Sequence, residues 1–184
     1  TATATPEVLA DTISELKLEL PKVLKSSFYR PNLAYKTMKV EDKLYHIQKL
    51  LQKESFSSIV YVRSRSMAVE TSEHLNSLGI SATFYHGGIS SEIRQERLEQ
   101  WKSGIVPVMV ATNAFGMGID HAEVRYVFHL QLPESLESYF QEAGRAGRDG
   151  KPAEALLLYN DHDKILVRKQ FIDSLPRKKD LKKV

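Results

Sequence analysis

Residues 138–150 read Ser138-Tyr139-Phe140-Gln141-Glu142-Ala143-Gly144-Arg145-Ala146-Gly147-Arg148-Asp149-Gly150. Two arginines stand three residues apart between glycines, with a glutamine and acids close by. Guanidinium forks held that close both reach a single polyanion, and arginine grips phosphate in a bidentate way. If Tyr139 to Ala146 is helical, Gln141 and Arg145 share one face at i,i+4 and Arg148 follows just past the end. Gly144 and Gly147 admit a ligand close to the backbone, and Gly150 suits the stop of the element. A lone Gly-x-x-Arg would read as a helix C-terminus whose arginine complements the dipole. Ten consecutive residues of this composition favour a ligand site.

Outward from this run the chain alternates. Ile59 to Val62 is a short apolar run suited to a strand buried on both faces, as a parallel sheet requires. Comparable runs recur at Ala82 to Tyr85, Val106 to Ala111, Val124 to Leu130 and Ala155 to Tyr159. Helical patterns fall between and after them at Ser66 to Leu78, Ser90 to Lys102, Ser135 to Gly144 and Asp161 to Leu175. Strand alternating with helix at this spacing predicts a mainly parallel α/β sheet covered on both faces. At the start, Thr5-Pro6-Glu7 reads as an N-cap followed by a proline at the first helical position. Val8, Leu9, Ile13, Leu16 and Leu20 then form an apolar stripe near the helical period, closed by Pro21. An extended Ala34 to Val40 precedes a helix with Leu44, Ile47, Leu50 and Leu51 inward.

In such sheets ligands gather at the carboxyl ends of the strands. Arg63-Ser64-Arg65 follows one strand, His86-Gly87-Gly88 a second, Thr112-Asn113 a third and Gln131 a fourth. The polar residues thus converge on one edge, where a ligand is expected.

The run at 138–150 resembles motif VI of the superfamily 2 helicases, and in the form QExGRAGRDG it resembles the RecQ family. Other segments agree. Ala111-Thr112-Asn113-Ala114-Phe115-Gly116-Met117-Gly118-Ile119-Asp120 is similar to RecQ motif V. Ile59-Val60-Tyr61-Val62-Arg63-Ser64-Arg65 resembles motif IV, and Phe84-Tyr85-His86-Gly87-Gly88 resembles the segment after it. Ser27-Phe28-Tyr29-Arg30-Pro31-Asn32-Leu33 is similar to the linker between the family's two RecA-like lobes, and Thr1 to Thr5 to the end of the first lobe. The resemblance implies a RecA-like three-layer α/β/α fold. It divides the chain into 1–31 (end of the first lobe, and linker), 32–175 (second lobe) and a basic tail at 176–184.

By the same resemblance, Arg145 and Arg148 reach across a cleft to the γ-phosphate of ATP held with Mg2+ mainly by the first lobe. Charge spreads over the phosphoryl oxygens during transfer, so a cation there lowers the barrier. Gln141 and Glu142 would orient the arginines, Asp149 would bridge to Arg145 or to adjacent backbone, and Gly118 would admit the ligand. Asp120 would hydrogen-bond near the ribose or couple the two sites; as a plain residue it caps a turn. Thr112 and Asn113 would hold DNA phosphate oxygens without reading bases, though a ligand-free turn uses the same residues. Ser64 and Arg65 resemble the motif IV pair, where the family more often has Cys-Asn-Ser-Arg. Arg63 is then an added phosphate contact or a solvated charge. His86 either touches DNA backbone or is buried beside the glycine turn. Trp101 and Phe140 read as packing residues.

What the chain lacks also bears on function. No GxxxxGK[ST] occurs, and no Asp-Glu-x-His box follows a strand, so both the phosphate cradle and the magnesium site belong elsewhere. The expectation is a lobe of a motor that hydrolyses no ATP by itself. The length of 184 residues and 42% hydrophobic content suit one globular domain with a sizeable core. There is no cysteine, so no disulfide forms; the four-cysteine zinc module usual after this lobe in RecQ proteins either follows beyond the chain or is dispensed with. No pair of the six histidines has metal-ligand spacing, so no metal site is expected. No apolar run approaches membrane-span length and no signal pattern opens the chain, which points to a cytoplasmic or nucleoid-associated protein in a bacterium, or a nuclear one in a eukaryote. The net charge of +3 belongs to Pro176 to Val184, whose five bases and one acid leave the remaining 175 residues near −1. DNA contact by the body must then come from local placement of groups.

The reading is the second motor lobe of an ATP-dependent 3′ to 5′ DNA helicase of RecQ type. Its partners would be single-stranded and duplex DNA and the first RecA-like lobe of the same polypeptide. Two alternatives remain: an RNA helicase lobe, whose motif VI normally begins His-Arg-x-Gly-Arg, and a catalytically silent nucleic-acid-binding module.

Overall fold

The computed structural model describes residues 5–25, 27–52, 56–116 and 119–169. Six strands, β1 (Leu33–Lys39), β2 (Ser58–Tyr61), β3 (Ala82–Tyr85), β4 (Val108–Ala111), β5 (Tyr126–His129) and β6 (Ala153–Tyr159), form one sheet in the order β1-β6-β5-β2-β4-β3. Every pairing is parallel. The helices are α1 (Pro6–Glu15), α2 (Lys43–Leu51), α3 (Arg65–Ser77), α4 (Ser91–Lys102), α5 (Leu136–Ala143) and α6 (Asp161–Val167).

The two-residue alternation of the strands builds two cores. Ile59 and Tyr61 of β2, Met109 and Ala111 of β4, and Val127 of β5 face Trp101 of α4 and Ala143 of α5. Val60, Val108, Val110 and Phe128 face the other way, onto Ile47 and Leu51 of α2 and Ala68 and Leu75 of α3. Successive residues of a strand point to opposite faces, so a strand of Ile, Val and Tyr buries both. The result is the three-layer α/β/α arrangement that the alternating pattern predicts.

Local chemistry starts each helix. Ser64, Ser90 and Ser135 place a hydroxyl that accepts the N–H of the third residue on, in α3, α4 and α5 respectively. Asn160 and Asp163 make a reciprocal capping box on α6. Trp101, fully buried, donates its indole N–H to the Ser58 carbonyl at 3.2 Å and ties α4 to the start of β2.

The first helix ends earlier than its apolar stripe predicts. Thr5 caps it and Pro6 occupies the first turn, but it stops at Glu15, well short of Pro21. Lys17 enters the left-handed region at φ 49°, while Leu18 N–H donates to Ile13 O at 3.0 Å and Lys17 N–H to Ser14 O at 3.1 Å. Those bonds make a Schellman stop, which outweighs the hydrophobic period. No residue of α1 is buried, and Leu20, placed beyond the helix, is 100% exposed. The final helix is described only to Val167 and its cap, and the basic tail and Thr1 to Ala4 lie outside the described residues.

Because all strands run the same way, the segments after Tyr61, Tyr85, Ala111 and His129 share one edge of the sheet. The residues expected to touch nucleic acid, Ser64, Arg65, His86, Thr112 and Asn113, stand on those segments.

Candidate nucleotide and nucleic-acid site

α5 runs to Ala143, and the chain then winds through tight turns to Gly150. Ala143 and Ala146 plug fully into the core. With the alanines inward, the alternate positions Arg145 and Arg148 are thrown toward the carboxyl edge. Gly147 supplies the sharp change of direction at φ +60°, and its N–H donates to Val124 O at 2.8 Å.

Both arginines are aimed by backbone carbonyls of the loop after β4. Arg145 Nη1 donates to Gly116 O at 2.7 Å. Arg148 Nη1 donates to Ile119 O at 3.2 Å and to Asp120 Oδ1 at 3.0 Å. Together with Arg30, Gln141 and Phe140 they line an open cavity of about 600 Å³. Three arginines and one exposed aspartate give that cavity a positive surface suited to a polyphosphate.

Tyr61 backs Arg145 from inside. Burial pushes its phenol well above the ordinary range, the nearby Arg145 charge working against that shift. The neutral hydroxyl donates to Phe115 O at 2.8 Å and so holds the same loop that receives Arg145. Beyond it, His129 is buried and its Nε2 lies 2.9 Å from Glu142 Oε2. Glu142 is therefore engaged with β5 and does not orient the arginines. Desolvation also pushes the neighbouring Tyr139 phenol up to about 12.

Of the two partners expected for Asp149, the structure has the adjacent backbone: it accepts the Lys151 N–H at 3.1 Å, while its charge partner is Arg125, which grips it with both guanidinium nitrogens, one at 3.0 Å, and not Arg145. Arg125 precedes β5, so the pair clamps the far side of the loop to the sheet instead of facing the cavity. Gly118 lies outside the described residues.

The residues expected to touch nucleic acid occupy the same edge with unequal freedom. Arg65 is exposed at the first turn of α3, its guanidinium lying over Gly88. Ser64 is half-buried and spends its hydroxyl on the Met67 N–H at 3.1 Å. Asn113 is exposed and borders a small cavity of about 70 Å³ with Arg63 and Gln131, whose Oε1 accepts the Arg63 N–H at 2.8 Å. Thr112 is buried, its N–H on Tyr85 O and its carbonyl accepting Phe115 N–H. His86 is only 7% exposed, stacked on Phe84, with Nδ1 accepting the Gly88 N–H at 3.1 Å. Burial and the Arg65 and Arg97 charges hold its pKa below the usual histidine range. Of the two readings left open for His86, the geometry matches the ring packed beside the glycine turn.

Three participants escaped the sequence reading. Arg30 lies in the linker segment and gives no periodic signal, yet it lines the arginine cavity. Arg125 and His129 flank or end a strand, where single polar residues read as strand boundaries. Among the described residues no cluster of His, Asp or Glu could hold a metal ion, and no helix is long and apolar enough to cross a membrane.

Comparison with known proteins bears on the family and the fold. Residues 42–150 match the family described as helicase conserved C-terminal domain. The ATP-dependent DNA helicase RecQ of Bacillus subtilis is 41% identical over the whole chain, which spans 32% of that protein. The RecQ-like DNA helicase blm-1 of Caenorhabditis elegans is 41% identical over 92% of the chain and 17% of the relative. In fold, the chain superposes on S. cerevisiae Dbp5, solved bound to RNA and ADP BeF3, with a TM-score of 0.72 at 21% identity, covering 95% of this chain and 49% of that one. The chain thus spans about a third or less of the two curated relatives named. With the parallel RecA-like sheet, the family match over more than half its length and the RecQ-type relatives, the chain belongs to the helicase conserved C-terminal domain family, in the form carried by RecQ-type DNA helicases.

Proposed function

We propose that this chain is the second motor lobe of an ATP-dependent 3′ to 5′ DNA helicase, supplying the cations that stabilise phosphoryl transfer and part of the single-strand track. The convergence of Arg145, Arg148 and Asp120 on one open cavity carries the reading. Arg148 extends from the turn after α5 and, among the described residues, is held by an exposed carboxylate and one carbonyl, so it can exchange those partners for phosphate oxygens. Arg145, half-buried against Gly116 and Tyr61, shapes the wall beside it. Mg2+ and the phosphate cradle come from the first lobe of the same polypeptide, since this chain has neither a GxxxxGK[ST] loop nor an acidic metal cluster among its described residues.

Asn113, Arg65 and the backbone of the segments after β2 and β4 form this lobe's half of the DNA track, gripping phosphates rather than bases. The segment Thr112 to Gly116 joins the two sites, with Asn113 at the small cavity and the Gly116 carbonyl on Arg145. Ser64, Thr112 and His86 serve that track by holding its loops. Residues 32–175 act as the lobe and residues before 32 as its connection to the first.

The deciding experiment is Arg148→Ala in the enzyme that joins this chain to its nucleotide-binding lobe. DNA-stimulated kcat is expected to fall by about 10²-fold or more, toward the ~10³- to 10⁵-fold that arginine fingers supply elsewhere, with DNA affinity near wild type. Loss of DNA binding with intact ATPase would assign the arginines to the other ligand.

A further inference from the structure

Arg30 makes two contacts whose placement is unusual. One guanidinium nitrogen donates to Gly144 O at 2.9 Å and the other to Gly147 O in a short contact. Those carbonyls belong to the peptide bonds that lead into Arg145 and Arg148. Asn32 adds a second donor to Gly147 O at 2.7 Å and reaches Lys151 O at 2.8 Å. A single fork from the linker thus fixes the two peptide planes from which both cavity arginines depart.

We infer that Arg30 is a positioning residue for the nucleotide site, holding Arg145 and Arg148 at a set spacing and making the linker from Arg30 onward move as one body with their loop. This rests on the nucleotide role proposed above for the two arginines. A plain helix cap would satisfy the orphan carbonyls at the end of α5 alone. Gly147 lies beyond that end, and a planar fork is needed to span both acceptors. Arg30 also lines the cavity, so the charge that fixes the loop adds to its positive surface.

The test is a double-mutant cycle in the enzyme containing both lobes. Arg30→Gln is expected to lower DNA-stimulated kcat by roughly 10- to 100-fold, the cost of misplacing a catalytic group by about an ångström. KM for ATP should change less than kcat, and DNA affinity should stay near wild type. In an Arg148→Ala background the same change is expected to cost less than about threefold, since residues acting as a unit are not additive. Arg30→Lys, which keeps the charge but spans only one carbonyl, should fall between, and it takes the place of Arg30→Gln if that variant melts below the assay temperature. Losses that multiply in the double variant would overturn the inference, as would wild-type kcat in Arg30→Gln or Arg30→Lys beside an impaired Arg148→Ala. A wild-type kcat in Arg148→Ala itself would instead sink the nucleotide reading on which this one stands.

Discussion

Arg148 is joined to Asp120 by a 3.0 Å ion pair in which the carboxylate is 87% exposed and the arginine side chain 35% exposed. Such a pair contributes about 1 kcal/mol or less to folding, because water screens it. Its value is directional. Asp120 holds the guanidinium over the cavity and, being solvated, releases it at little cost.

Asp120→Asn should therefore separate stability from activity. Melting of the chain is expected to change by no more than a few degrees, as about 1 kcal/mol would in a domain of this size. Steady-state kcat of the two-lobe enzyme should fall, with Arg148 no longer aimed. A large drop in Tm with unchanged kcat would make Asp120 a structural cap.

Gly147 and Gly150 offer a matched comparison. Both have positive φ, +60° and +80°, where an L side chain is strained by about 1–2 kcal/mol. A methyl at Gly150 meets nothing within 4 Å, whereas at Gly147 it meets Asn32 Nδ2 at 2.7 Å, Ala153 Cβ at 2.8 Å and Lys151 O at 2.9 Å. Chemical denaturation should show Gly150→Ala losing only the strain and Gly147→Ala losing clearly more, through displacement of Asn32 and the start of β6. Equal losses would mean that the packing around Gly147 yields freely.

The parallel sheet was legible because burial on both faces forces unbroken apolar strands, and runs such as Ile59 to Val62 have few other uses. Five strand cores and the starts of α3 to α6 fall within two residues of where patterning puts them. The end of α1 did not, because a Schellman stop is backbone geometry that Lys17 does not advertise. Site residues were legible by type and harder to place by partner. Arg145 and Arg148 face one cavity as their spacing implies. Asp149 and Glu142 have nearer partners in Arg125 and His129, contacts made across the fold that no local spacing encodes.

The Asp149–Arg125 clamp predicts a pH dependence. Arg125 holds the Asp149 carboxyl below the usual carboxylate range. A group with a depressed folded pKa stabilises fully above its unfolded value near 3.9 and loses that contribution as pH falls through the folded one. The stability gap between wild type and Arg125→Ala, measured by urea melts, should be constant near neutrality and narrow below about pH 4. A gap that persists unchanged at low pH would show that Arg125 acts through packing alone.

The N-terminal helix provides the last expectation. Val8 is 48% exposed and Leu16 64%, and no residue of α1 is buried, Leu9 and Ile13 being half-buried at most. A ten-residue helix without tertiary packing is marginal in water, so amides of residues 9–15 should exchange near intrinsic rates. Those of β2 and β4, flanked by strands on both sides, should instead approach the global unfolding limit. In the two-lobe enzyme the same amides should become protected, because the proposed first lobe gives the apolar stripe a surface to cover. Strong protection of α1 in a dilute monomer of this chain would mean that the helix packs on its own sheet, and that residues before 32 belong to the second lobe.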